Sequence, residues 1–418
     1  MADLLFLAHR IPYPPNKGDK IRSWHMLRHL AQRYRVHLGC FIDDPADRQH
    51  EQVLRNICAS CCFVDLAPSA AKLRSLRGLL TGEPLTLPYY RSSELASWVE
   101  QVVARHRPGR LFFYSSAMAQ FDVPTPYAAR RIIDLVDVDS QKWAEYATRK
   151  RWPLSWVYAR EGRTLLEFER AIAGRMDAGI LVSPAEAKLF AELAPEARAK
   201  IHAVNNGVDT DYFSPDRAYG NPFRPDAIPL VFTGAMDYWP NIDAVQFFAR
   251  EVLPAVRSRV PNAGFWIVGS NPSGAVLDLA KNSGVVVTGR VPDIRPYVAH
   301  AAAVVAPLRI ARGIQNKVLE AMAMAKTVVA SPPAVEGIPG TNGREFLVAE
   351  DARAFAKHLT DIIEHKAHGH LGAAARDYVL ATYDWLKSLY KLDAILDGAP
   401  MAAGPDRQGG PAALPSSH

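Results

Sequence analysis

Short runs that are apolar at every position alternate with longer stretches at helical spacing, and this alternation sets the plan of the chain. Residues 4–8 are apolar, residues 11–18 are rich in Pro, Asn and Gly, and residues 20–33 place apolar side chains at helical spacing. The order is strand, loop, helix. It recurs at residues 229–233, 234–241 and 242–257, the second loop again holding a Pro-Asn pair. Two similar α/β units follow. Further strands are expected at 36–41, 62–66, 111–114, 131–136 and 179–183 in the first unit, and at 265–268, 285–288, 303–307 and 327–331 in the second. Runs apolar on both faces belong to parallel sheets covered by helices.

A long helical stretch is expected over residues 141–175. Polar, turn-rich residues 205–226 interrupt all periodicity and mark the boundary between the units. The spacing therefore predicts a first domain over 1–205, a linker over 206–226 and a second domain over 227–375. A closing helix over 376–397 is long enough to leave the second domain and pack on the first. The Gly/Pro/Ala/Ser-rich residues 398–418 are expected to be disordered.

Composition narrows the class. The chain has 418 residues, 49% hydrophobic and 22% charged, enough apolar material for large cores. No apolar run reaches the roughly 18–20 residues of a membrane span, and the first ten residues lack a signal-type pattern, so a cytoplasmic protein is expected. The net charge of +6 is unevenly placed. Residues 1–200 hold 29 Lys/Arg against 22 Asp/Glu, a surplus of 7, and the remainder holds 20 against 21. A basic first half suits an anionic partner: phosphate, membrane surface or nucleic acid. Cys58, Cys61 and Cys62 form C-x-x-C-C without a second ligand pair, which reads as reduced thiols packed around a strand and not as a zinc site.

The most informative segment is A-R-G-I-Q-N-K-V-L-E-A-M-A-M-A-K-T-V-V-A-S from Ala311 to Ser331. A glycine after a buried strand feeds a helix, so free N–H groups and the positive end of the helix dipole face whatever lies ahead. That arrangement suits a diphosphate. Lys317 lies in the first turns and Glu320 follows on the same face, one able to pair with phosphate, the other to accept from a ribose diol. An ordinary helical salt bridge is the competing reading.

This segment resembles the signature of family 4 glycosyltransferases, retaining enzymes of the GT-B fold in which two Rossmann-like domains face a central cleft. In that pattern two glutamates stand eight positions apart, the second within L-E-A-M-A. Glu320 fills the second position and Arg312 stands at the first, as in the branch reading G-x-x-x-K-x-L-E-A-M. The resemblance implies that Lys317 and the amides of Gly313, Ile314 and Gln315 meet the donor diphosphate, that Glu320 holds the ribose, and that Arg312 and those amides take over the missing acid's contact. Gly18, in P-P-N-K-G-D-K-I-R, resembles a loop that reaches the donor phosphates from the first domain. Gly234, in F-T-G-A-M-D-Y-W-P-N, resembles the opening of the donor domain; Gly289-Arg290-Val291 resembles a turn that meets the base. Residues 137–143, D-V-D-S-Q-K-W, are most similar to transferases of exosortase (PEP-CTERM) exopolysaccharide systems. The resemblance implies sugar transfer to a lipid-linked or polysaccharide acceptor without metal or cofactor, the leaving phosphate taking the acceptor's proton. Nucleic acid is not an expected partner.

Other candidates stay open on residues alone. Asp137 and Asp139 alternate along what reads as an extended segment, either a solvated edge or acceptor contacts. His9, at the end of the first strand, is either cleft-facing or a satisfied structural histidine. Residues 72–80 and 149–160 combine cations with Leu or Trp, which suits either amphipathic packing or the anionic inner face of a plasma membrane. Because Arg312 replaces an acid, a non-catalytic sugar-nucleotide or glycan-binding subunit is the second functional reading. A dinucleotide oxidoreductase is the third, but no G-x-G-x-x-G follows either opening strand.

Overall fold

The computed structural model describes residues 1–15, 18–148, 150–311, 313–365 and 370–398. Two wholly parallel sheets organise it. The first contains β1 (Ala2–Ala8), β2 (Tyr34–Ile42), β3 (Ser60–Asp65), β4 (Arg110–Tyr114), β5 (Arg130–Val136), β6 (Ala178–Leu181) and β7 (Ile201–Ala203), in the order β3-β2-β1-β4-β5-β6-β7. The second contains β8 (Ile228–Thr233), β9 (Ala263–Val268), β10 (Val285–Gly289), β11 (Ala303–Ala306), β12 (Val328–Ala330) and β13 (Leu347–Val348), in the order β10-β9-β8-β11-β12-β13. In each sheet the strand that opens the domain lies centrally and the order reverses beside it, which places a crevice beyond the carboxyl ends of the strands.

β1 shows why the apolar runs behave as they do. Leu5 and Leu7 enter one core with Leu95, Val99 and Phe113, while Leu4, Phe6 and Ala8 enter another with Met26, Leu30 and Phe112. Both faces are covered along residues 4–8, which is why the run is apolar at every position. β7 and β13, three and two residues long, lie at sheet edges and are too short to show in the sequence pattern.

Three expected helices are divided. The stretch over 141–175 becomes Asp139–Thr148 and Leu154–Arg175, packed against each other around Pro153, and Gly162 lets the backbones approach at Ser140 and Ala144. That over 242–257 becomes Trp239–Phe247, a π-helical segment Phe248–Val252 and Leu253–Arg257; Pro254 has no N–H for the ladder, which widens the turn ahead of it.

The closing helix over 376–397 is two. Leu371–Thr382 stays with the second core, and Asp384 caps Trp385–Asp397 by accepting from the Leu386 N–H. Trp385, Leu389, Leu392 and Ile395 then pack on the first domain. Its charged edge is tied down by His29 and Arg33 on Asp393 and by Arg110 on Asp397. Gly398 belongs to this helix as its left-handed cap, while residues 399–418 lie outside the described residues. Cys40, Cys58, Cys61 and Cys62 are free thiols.

Candidate functional site

Tight turns at the carboxyl ends of its strands form the rim of the second domain. β8 gives way to Gly234 and β9 to Gly269, and these approach so closely that a Cβ on Gly269 would overlap the Gly234 carbonyl. The Gly269 N–H donates to Gly289 at the end of β10. After β11 the chain turns at Gly313, with φ at +64°, a conformation L side chains rarely adopt. Gly337 packs under this turn; a Cβ there would lie 2.9 Å from the Gly313 carbonyl carbon. The helix Asn316–Ala323 starts next. Gln315 occupies its N-cap position without a side-chain cap bond, which leaves this end suited to an anion.

Lys317 and Glu320 stand where the sequence places them, one turn apart on that helix. The Lys317 ammonium donates to Asn241 Oδ1 at 2.6 Å, lies 4.2 Å from the Phe232 ring centre, and would be 3.0 Å from a Cβ on Gly234. Each side chain keeps part of its surface open, yet protein surrounds both closely enough to desolvate them. Burial lowers the Lys317 pKa to about 7, opposed by the Glu320 charge; burial raises Glu320 to about 7, opposed by Lys317. The Glu320 carboxylate has no hydrogen bond within the described residues. A cation and an anion are therefore held in poor solvation, and for both the burial outweighs the neighbouring opposite charge.

The first-domain rim is built from charges that already have partners. At the end of β1, His9 stacks on Tyr114 and its Nε2 lies 3.4 Å from Asp19, whose carboxylate also accepts from Arg10 at 2.6 Å. Burial opposes ionisation of Asp19, but His9 and Arg10 prevail and hold it well below the usual carboxylate range. His9 Nδ1 is buried without a partner, so the residue is structurally fixed on one side and unspent on the other.

At the end of β5, Val136 has φ at +67°, a strained value for a β-branched residue. Its N–H is held by Asp134, which takes the Arg22 guanidinium at 2.9 Å in a fully buried pair. The turn aims Asp137 and Asp139 at one cation, Lys142, at 2.7 and 3.1 Å. Burial would lower the Lys142 pKa, but Asp139 and Asp137 hold it above the usual lysine range. The two aspartates thus converge as expected, though not as alternate positions of a strand: Asp139 begins a helix, and the positive φ of Val136 turns the chain. Beneath them Glu186 accepts the Val138 N–H, and Ser140 donates to Glu169 at 2.6 Å.

The two rims meet. Gly18 begins the helix Gly18–Arg33, and Asn316 Nδ2 lies 3.9 Å from where a Gly18 Cβ would stand. Asp137 Oδ1 lies 3.5 Å from the corresponding point on Gly313. The structure therefore assembles Gly18, Asp137, Gly234, Gly313, Lys317 and Glu320 around one cleft. Ile314 and Val291 are half-buried against the second core; Arg290 is exposed beyond β10; Gln315 reaches back to the Gly313 carbonyl at 3.4 Å. Arg312, with Asn16 and Lys17 of the first loop, lies outside the described residues.

Sequence reading missed Asn241, Lys142, Gly337 and Asn316, whose buried Oδ1 lacks a partner. Lys142 was signalled by its place three residues after Asp139, a spacing that meets only on a helix.

Residues 228–365 match the family model described as Glycosyl transferases group 1. No curated protein sequence matches the chain. Among solved structures, Anabaena HepE in complex with UDP is similar over 95% of this chain and all of that one, with a TM-score of 0.65 at 14% identity. Sucrose-phosphate synthase from Thermosynechococcus elongatus is similar over 95% of this chain and 99% of its own, with a TM-score of 0.66 at 17% identity. WaaG, a glycosyltransferase involved in lipopolysaccharide biosynthesis, reaches 0.60 at 14% identity over 95% of this chain and 100% of that one. Two parallel-sheet domains with a cleft beyond their strands give this chain the GT-B fold, and the second of them resembles the group 1 glycosyl transferase domain over residues 228–365.

Proposed function

We propose that the protein is a retaining glycosyltransferase, independent of metal and cofactor, that moves a sugar from a nucleoside diphosphate to a lipid-linked or polysaccharide acceptor in exopolysaccharide or other cell-surface glycan assembly. The observation that carries this reading is the pairing of Lys317 and Glu320 on the Asn316–Ala323 helix, whose first residue Asn316 and preceding turn at Gly313 lie against Gly18 and Asp137 of the other domain. As the sugar leaves, negative charge grows on the diphosphate; Lys317, the amides of Gly313 to Gln315 and the helix end stabilise it as it forms. Glu320 accepts from the ribose hydroxyls. The acceptor attacks on the face from which the phosphate departs, and that phosphate takes its proton.

Asp137 and Asp139, with Lys142 between them, orient the acceptor, and His9 offers its free Nδ1 at the same rim. Arg312 neutralises phosphate beside Gly313, and Arg290 and Val291 border the base. The D-V-D-S-Q-K-W run supports the exosortase-associated class.

The test is turnover. Purified protein with a panel of nucleotide-diphosphate sugars is expected to release nucleoside diphosphate in the presence of an undecaprenyl-linked or glycan acceptor, and Glu320→Ala to lose this at unchanged thermal stability. Donor binding without release or transfer would favour the binding-subunit reading.

We also assign the first domain a peripheral place at the cytoplasmic face of an anionic membrane. No helix among the described residues is long and apolar enough to cross one. The Arg160 guanidinium donates to the carbonyls of Gly78 and Glu83, and Glu161 accepts from the Leu85 and Thr86 N–H groups, joining the two segments noted in the sequence. Leu80 is 90% exposed, Trp152 81% and Leu73 71%, near the exposed cations Lys72, Arg77, Lys150 and Arg151. Two expected cations do not serve: Arg160 is buried, and Arg74 is bound to the carbonyls of Pro88 and Tyr89. Arg149 lies outside the described residues. Protein should sediment with phosphatidylglycerol vesicles at low salt and be released at high salt, Trp152→Ser/Leu80→Ser less than wild type; equal sedimentation by the double variant would remove this face from the account.

A further inference from the structure

At the end of the first sheet remote from the cleft, three side chains with metal-binding donors converge. Asp3 is the second residue of β1, His37 lies on the adjoining β2, and His106 ends the helix Ser93–His106 that covers this face. One carboxylate oxygen and one nitrogen from each imidazole lie within 4.8 Å of one another. His37 Nε2 is 2.9 Å from Asp3 Oδ1, and the two imidazole centres are 4.4 Å apart with their planes tilted by 33°. The register explains the convergence. Asp3 pairs with Arg35 and Leu5 with His37, so Asp3 and His37 project on the same face as Leu5 and Leu7, toward the helix that carries His106.

We propose that Asp3, His37 and His106 form a binding site for a borderline divalent transition metal such as Zn²⁺. Two imidazoles and one carboxylate are the donor set of three-ligand zinc sites, with water in the fourth position, and imidazole selects against Mg²⁺ and Ca²⁺. Tetrahedral bonds of ~2.0–2.1 Å put ligand atoms ~3.3 Å apart. Asp3 and His37 are already near that spacing. His106 closes the remainder from a half-exposed position at a helix end, where Arg107 breaks the helix with φ at +49°.

The supporting contacts also fit. His37 Nδ1 is 2.7 Å from Ser60 Oγ, which leaves Nε2 for the metal when Nδ1 is the donor. Arg35 grips Asp3 through two nitrogens at 2.8–3.0 Å, which aims the carboxylate and offsets its charge. The bound metal ties β1, β2 and the helix end together. It stands ~17 Å from the cleft end of β1, five residues at about 3.3 Å each. Sugar transfer is independent of it.

The test uses Co²⁺ on chelator-treated full-length protein, because thiolate and imidazole ligands give it different spectra. Wild type should bind one Co²⁺ with intense low-coordinate visible bands, no near-ultraviolet thiolate band, and displacement by Zn²⁺. His106→Ala, at the half-exposed helix end, should weaken binding at least tenfold, and Asp3→Asn likewise, with donor turnover unchanged in His106→Ala. Zn²⁺ should raise the wild-type Tm and leave that of His106→Ala in place. A thiolate band, wild-type affinity in both variants, or no Co²⁺ uptake by wild type would each overturn the site.

Discussion

The two rims of the cleft use charge in opposite ways. On the first domain, Asp19, Asp134, Asp137 and Asp139 each answer a cation within 3.5 Å, at the carboxyl ends of β1 and β5 and beside the strained turn at Val136. On the second, Lys317 and Glu320 are desolvated and each is pushed toward its neutral form. One rim is electrostatically complete without a ligand; the other is completed by one. Substitution of Asp19 or Asp134 should therefore register mainly in stability, and of Lys317 or Glu320 mainly in turnover.

The largest expected effect is on the first side. Arg22→Ala leaves Asp134 ionised or unpaired in a fully buried site and should cost ~3–5 kcal/mol, read from urea denaturation. Replacing both residues, Arg22→Met with Asp134→Leu, should cost less than the single change; a larger cost would deny that the pair is mutually compensating.

Glu169 comes next. Burial raises its pKa to about 8 against a reference of 4.5, and its Oε1 has no partner. The folded state thus keeps a proton between pH 4.5 and 8 that the unfolded state has lost, so stability is greatest below this window and falls as pH rises through it. Glu169→Gln should flatten that fall, by a few kcal/mol at most, at roughly 1.4 kcal/mol per unit of pKa shift. Parallel Tm-against-pH curves for the two proteins would sink the assignment.

On the second side, Lys317→Ala should reduce kcat by about 10²-fold with Tm held or raised, since a desolvated cation is removed. A fall in Tm with kcat intact would make Lys317 a structural residue.

The smallest effect is the sharpest test of the contrast. Donor binding should favour charged Lys317 and charged Glu320, whose pKa values in the free protein are both about 7. Binding then takes up protons above pH 7 and releases them below it, which calorimetry in buffers of different ionisation enthalpy resolves. Absence of proton exchange at both pH 6 and pH 8 would remove the two residues from the donor site.

The contrast also explains what the sequence disclosed. Lys317, Glu320 and Gly313 lie within eight residues of one another on a loop and the helix it feeds, so local spacing reveals their shared face. Asn241 reaches Lys317 from 76 residues away, and Asn316 meets Gly18 across the cleft, contacts that no local pattern encodes. The strands of both sheets were legible because burial on both faces leaves continuous apolar runs. Helix ends were less so: Pro153 divides one helix, and Asp384 starts a new one inside an apparently continuous apolar pattern. Asp137 and Asp139 were recognised as a pair but given the wrong backbone, because a positive φ at Val136 runs against every preference of valine.

The chain passes between the domains twice, and the two passages lie side by side. The Val208 N–H donates to the Tyr383 carbonyl, Val208 and Asp384 form a β-bridge, and Gly207 has no room for a Cβ beneath Trp385. Two covalent threads fastened together at one point act as the spine of a book. A joint of this kind favours rotation of the domains about that line over sliding of one past the other. Rotation about it would keep Gly18 opposite Asn316 and Asp137 opposite Gly313.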